Sequence, residues 1–119
     1  SSMHRDVHLT PTSRKFWDDY KKKFGKEPSD YKTRSIYNVL LIAADAINRA
    51  KSTNNEAIVD ALEKTELEVT TGVVKFGLNP GSYEYHQWMP PMLVVQWQNK
   101  KQVVVYPKEA ATGVLVRAK

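Results

Sequence analysis

Apolar residues recur at helical spacing through the first half of the chain, then switch to short β-branched runs. Phe16, Trp17, Tyr20 and Phe24 fall at i, i+1, i+4 and i+8, which is one stripe of a helix. Asp18, Asp19 and Lys21 to Lys23 fill its other face. Thr10 is placed to cap this helix and Pro11 to occupy its first position, where a missing N–H costs nothing. Gly25 and then Pro28 end it. Ser29 to Arg34 reads as a polar connector. A second helix is expected from about Thr33 to Ala50, with Ile36, Leu40, Ala43, Ala44, Ile47 and Ala50 as its main stripe. Val39, Leu41 and Ile42 widen the apolar surface, so burial on two sides is expected. Thr53 and Glu56 fit a capping box that opens a third helix to about Lys64, with Ala57, Ile58, Ala61 and Leu62 inward.

The β signals follow. Val69 to Phe76 reads as a strand around Gly72, and Asn79-Pro80-Gly81 as a turn. Tyr83 to Trp88 alternates weakly, and Pro90-Pro91 interrupts the ladder. Met92 to Gln98 and Gln102 to Tyr106 read as strands joined by a hairpin at Asn99-Lys100-Lys101. Pro107 ends the second, and Gly113 to Val116 reads as a last short strand. Helices first and strands second implies α+β content, or the tail of a larger α/β protein.

Composition narrows the function classes. With 41% hydrophobic and 26% charged residues in 119, the chain is an ordinary globular domain or a piece of one. Cysteine is absent, which excludes disulfides, thiolate nucleophiles and cysteine-ligated zinc. The longest apolar run, Val39 to Ala44, is far short of the roughly 20 residues that span a bilayer. The net charge of +5 is compatible with an acidic partner without requiring one. Ser1-Ser2-Met3 reads as a foreign leader, so residues 1–8 are set apart from a single segment, 9–119. With such a leader in place, the lack of a signal peptide says nothing of where the protein works.

Few residues carry chemistry. His4 and His8 with Asp6 have the spacing of a metal set, but they lie beside the foreign leader, and no metal or other cofactor is expected. Asp18 and Asp19 point about 100° apart on a helix and do not form an acid–base pair. Lys21 to Lys23 with Lys26 share their helix with two aspartates and carry no recognition motif, so nucleic-acid binding is not expected. His86, within the aromatic run Tyr83 to Trp88, is a secondary candidate at a pocket edge, weighed against simple packing of that run on the core. No nucleophile–base or acid–base pair is present, so an enzyme is not expected.

Several phrases together resemble a family. Phe16 to Pro28 matches F-x-x-x-Y-x-x-x-F/Y-G-x-x-P. Tyr37, Ala43 to Ile47 and Ala50-Lys51-Ser52 are similar to the helix that follows it. Glu56 to Leu62, Gly72 to Phe76, Val94 to Gln98 and Val103 to Pro107 resemble the next helix, a G-x-V-x-F strand and a closing hairpin. In that order they resemble the C-terminal part of a type I periplasmic solute-binding protein, of the leucine/isoleucine/valine-binding branch of ABC importers. The resemblance runs from about residue 9 to 116. Four features depart from it: Asn38 replaces an acidic residue, Lys51 a glycine, Asn99-Lys100 the usual Asn-Gly or Asp-Gly turn, and Tyr83 to Pro91 is longer and more aromatic than the family pattern.

The resemblance implies an α/β fold, seen here as three helices followed by mostly antiparallel strands. It implies two lobes closing on a small solute, an amino acid or a related aromatic or amide compound, and delivery to an ABC permease. The location implied is periplasmic or extracytoplasmic. Tyr31 best matches the family's aromatic ligand contact before the second helix. A segment with unpartnered strands and a broad apolar helix is expected to self-associate as a homo-oligomer. The rival readings are a free-standing α+β interaction domain and a ligand-sensing regulatory domain of the same fold.

Overall fold

The computed structural model describes residues 7–28 and 31–117, apart from the Tyr31 side chain. Helix α1 spans Pro11–Phe24. Thr10 caps it, its side chain accepting from the Ser13 N–H, and Gly25 closes it with a left-handed φ of 66°. Helix α2 spans Tyr31–Ala50 and begins two residues before the expected Thr33. The polar run Ser29 to Arg34 is therefore partly helical.

Helix α3 spans Asn55–Glu63. Its cap is Asn54, which accepts from the Glu56 and Ala57 N–H groups, so the expected Thr53–Glu56 capping box does not form. Asparagine does the same work one residue later. The inward positions Ala57, Ile58, Ala61 and Leu62 are buried or half-buried as their spacing requires.

The region 69–76 is a hairpin and not one strand. β1 (Leu67–Val69) pairs antiparallel with β2 (Gly72–Val74) across a two-residue turn at Thr70-Thr71. Gly72 makes the return possible: its φ of 141° is open to glycine and rarely adopted by a residue with a side chain. β3 (Val94–Gln98) and β4 (Lys101–Tyr106) form the second hairpin, with a register shift that leaves Val105 unmatched. Its loop is Asn99-Lys100, both left-handed at φ 50° and 63°. A two-residue loop matches the strand twist in this way, at the expense of strain in a lysine.

Two other expected strands are absent. Tyr83 to Trp88 folds into turns, and its ladder pairing is a Gly77–Tyr85 bridge. Residues 113–116 make no ladder. They cross the face of β3 and are held by side chains: Gln96 pairs with both the N–H and C=O of Val116, and Gln98 donates to the Val114 carbonyl. The side-chain amides supply what a neighbouring strand would have supplied.

Burial is thin. Phe16 packs on Tyr20 and Tyr37, and Val69 and Val74 are fully buried. A separate cluster of Val7, Leu93 and Val104 lies under the second hairpin. The Cα radius of gyration is 17.0 Å, against about 13.5 Å for a compact chain of this length. Its least extent is 19 Å. The exposed area is 8843 Å², where a compact monomer of this size exposes roughly 6,600 Å².

Exposed apolar side chains are prominent on α2. The expected main stripe faces outward: Ile36 and Leu40 are each more than 60% exposed, Ala43, Ala44 and Ile47 lie on the open side too, and Val39 beside them is as exposed. The inner face is instead Arg34, Asn38 and Ala46. The expectation of burial on two sides fails here for want of a second layer. No helix among the described residues is long and apolar enough to cross a membrane.

Candidate functional site

The inner face of α2 is polar because it serves a hydrogen-bonded junction. Asn38 Oδ1 accepts from the Thr70 N–H at 3.1 Å and from Thr70 Oγ1 at 2.8 Å, while its Nδ2 donates to Thr71 Oγ1 at 3.2 Å. All three residues are buried. Arg34 donates to Ser13 Oγ at 3.2 Å and lies over the Trp17 ring, 5.5 Å from its centroid. Burial pulls its guanidinium below the ordinary arginine pKa. Thr10 joins the same junction, donating to the Val69 carbonyl at 2.8 Å. Glu68 accepts from the Thr12 N–H and hydroxyl at the start of α1, where an anion is favoured. These contacts lock α1, α2 and the first hairpin into one body.

Further along, Arg49 fixes α2 to α3. It donates to the Ala61 carbonyl and Thr65 Oγ1 at 2.7 and 2.9 Å, and pairs with Asp45 at 2.8 Å.

Tyr31 is the first residue of α2, inside the helix and not ahead of it as the resemblance implied. His86 stands apart from it, in the loop of residues 77–87. Its Nε2 lies 2.8 Å from Glu63 Oε1 at the end of α3, and its ring stacks on Tyr85 at 3.8 Å. Val59, Leu62, Glu63, Phe76 and His86 line a depression of about 130 Å³ that is open to solvent. His86 therefore lies on the rim of a depression, the setting weighed above against simple packing of its aromatic run. The described interactions do not bring it to the start of α2.

His8 lies with its Nδ1 3.1 Å from Ser13 Oγ and edge-on to Trp17. His4 and Asp6, the rest of the metal set weighed above, lie outside the described residues. Among the described residues no group of three or more His, Asp or Glu side chains is arranged to hold a metal.

Sequence reasoning missed the Asn38–Thr70–Thr71 junction. The available signal was a polar residue at the centre of an apolar helix together with a Thr-Thr pair before a glycine.

Comparison with known proteins places these features. A family model described as periplasmic binding protein matches residues 5–102. The Leu/Ile/Val-binding protein homolog 7 of Brucella melitensis biotype 1 is 28% identical over 106 residues, which is 89% of this chain and 26% of that protein. The homolog 7 of Brucella suis biovar 1 matches to the same extent. The Leu/Ile/Val-binding protein homolog 8 of Brucella melitensis biotype 1 is 26% identical over the same length. The chain thus spans about a quarter of the length of the relatives it matches. No solved structure gives a significant match.

Proposed function

This chain belongs to the periplasmic binding protein family, and from that we propose that it is the C-terminal portion of the solute-binding subunit of an ABC importer. Residues 9–119 are its folded segment. It binds a small solute, an amino acid or a related aromatic or amide compound, and does no chemistry. Two lobes hinge shut on the solute outside the cytoplasmic membrane, and the closed form docks on a permease.

The excess of exposed surface is the observation that supports this reading. Roughly 2,200 Å² beyond the compact expectation is the area of a substantial protein interface, and it includes a whole apolar face of α2. Such a face suits a helix that packs on a sheet supplied by more polypeptide. Tyr31, at the entry to that helix, offers an apolar wall and a hydroxyl to the solute. Left by itself, the same face pairs with a second copy to give a homo-oligomer.

Calorimetric titration of the full gene product that carries this chain tests the proposal. Leucine, isoleucine, valine, phenylalanine and a short aliphatic amide form the panel. Saturable binding of one or more is expected, weakened at least about tenfold by Tyr31→Ala and less by Tyr31→Phe. A folded gene product that binds none of the panel overturns the solute class. Unchanged affinity in Tyr31→Ala removes Tyr31 from the site.

A further inference from the structure

The depression between α3 and the 77–87 loop has no part in that reading. Its floor is apolar: Val59 and Leu62 from α3, and Phe76 following β2. Glu63 and His86 form its polar edge.

The electrostatics of this edge favour a cation. Glu63 is the last residue of α3, and among the residues lining the depression it alone carries a carboxylate. A carboxylate there gains most from a positive partner. The aromatic faces add to this, with Phe76 in the lining and His86 stacked on Tyr85.

The loop is built to hold His86 in place. His86 has φ 54°, a left-handed backbone that a non-glycine residue rarely adopts. Two bonds impose it: His86 N–H to the Gly77 carbonyl at 2.8 Å, and Gly77 N–H to the Gln87 carbonyl at 3.0 Å. Gly77 is needed at that closure, because a Cβ would collide with the Glu84 carbonyl. The ring is thus fixed against Glu63 through the backbone.

We propose that this depression binds a small organic cation with an apolar body, an alkyl- or arylammonium. The ammonium sits on the Glu63 carboxylate and the body covers Val59, Leu62 and Phe76. At about 130 Å³ the depression is smaller than a site for a drug-sized ligand, and it admits only a single ring or a short branched chain. This proposal stands independently of the two-lobe cleft.

The test is an amide-resolved NMR titration of the chain at neutral pH with benzylammonium, benzyl alcohol and benzoate. These share a ring and differ in charge. Saturable shifts centred on residues 59, 62, 63, 76 and 86 are expected with benzylammonium, weaker ones with the alcohol and none with benzoate. Glu63→Gln is expected to weaken benzylammonium roughly threefold to tenfold, the span from an exposed to a half-buried charge pair, and to bring it level with the alcohol. Equal binding of ammonium and alcohol by the unaltered protein overturns the proposal whether or not the variant folds. So does the absence of saturation, or shifts at these residues that follow protein concentration alone, which would seat a second copy there.

Discussion

Asn38 holds Thr70 through a single oxygen, which takes both the backbone N–H at 3.1 Å and the hydroxyl at 2.8 Å. The amide's other end reaches Thr71. One side chain on a helix thereby satisfies the tip of a two-residue hairpin turn that has no sheet neighbour to do so. The turn is buried, and an unpaired N–H there carries the full desolvation penalty.

Asn38→Ala removes all three bonds at once and leaves the Thr70 N–H buried without an acceptor. A loss of about 2–4 kcal/mol is expected. Asn38→Asp keeps the acceptor for Thr70 and loses only the bond to Thr71, so its loss is smaller. Urea unfolding followed by far-UV circular dichroism checks both. An Ala variant with an unchanged midpoint would show the junction to be incidental.

Gly72→Ala probes the other end of the same turn. The φ of 141° is hostile to any side chain, and the new methyl meets Pro91 and Trp88 at 3.4 and 3.5 Å. The contacts are tolerable and the backbone is not, so a loss of about 1–3 kcal/mol is expected. The same measurement reads it. Gly81→Ala is the control, since its φ is ordinary and its space open apart from Asn79.

These residues also show which parts of the structure are legible from sequence. Thr10, Pro11 and Gly25 mark both ends of α1 because capping is local chemistry. The spacing of Ala57, Ile58, Ala61 and Leu62 gives the inner face of α3 for the same reason. The face of α2 was not legible. Its apolar stripe reads as core, yet in this chain Asn38 and Arg34 turn inward and Ile36 and Leu40 turn out. Periodicity locates a stripe and does not say which layer covers it. Gly72 was legible as a special position, but a hairpin and a single strand share one composition. The aromatic run around His86 left open both packing on the core and a place near a pocket, and its partner Glu63, 23 residues away, is not signalled by that run.

Lys51 stands where the family pattern carries glycine, and its backbone explains why: φ is 49°, with its N–H bonded to the Ile47 carbonyl at 2.9 Å. Lys100 repeats the situation at φ 63° in the β3–β4 loop. Glycine at either position relieves a left-handed strain of about 1 kcal/mol and gives back part of it in unfolded-state entropy. Lys51→Gly and Lys100→Gly are each expected to stabilise by a few tenths of a kcal/mol, and to add, being in separate elements. Thermal unfolding of the two variants and the pair measures this. A destabilised Lys100→Gly would mean that the lysine side chain contributes more than its backbone strain removes.

The outward stripe of α2 sets the last expectation. Ile36 and Leu40 lie one turn apart on it, each more than 60% exposed, with Val39 beside them. Uncovered apolar surface of that extent drives association, and more steeply as the chain is concentrated. Sedimentation velocity across a hundredfold concentration range is expected to show the chain moving from smaller to larger species. Ile36→Lys with Leu40→Lys keeps helix propensity and, at exposed positions, changes stability by no more than about 0.5 kcal/mol. It is therefore expected to hold the chain in its smallest form without unfolding it. A double variant that associates as the parent does would move the contact to the other apolar strip, Val114 to Val116. A parent that stays monomeric at every concentration would mean that this face is not sticky enough to act without its own sheet.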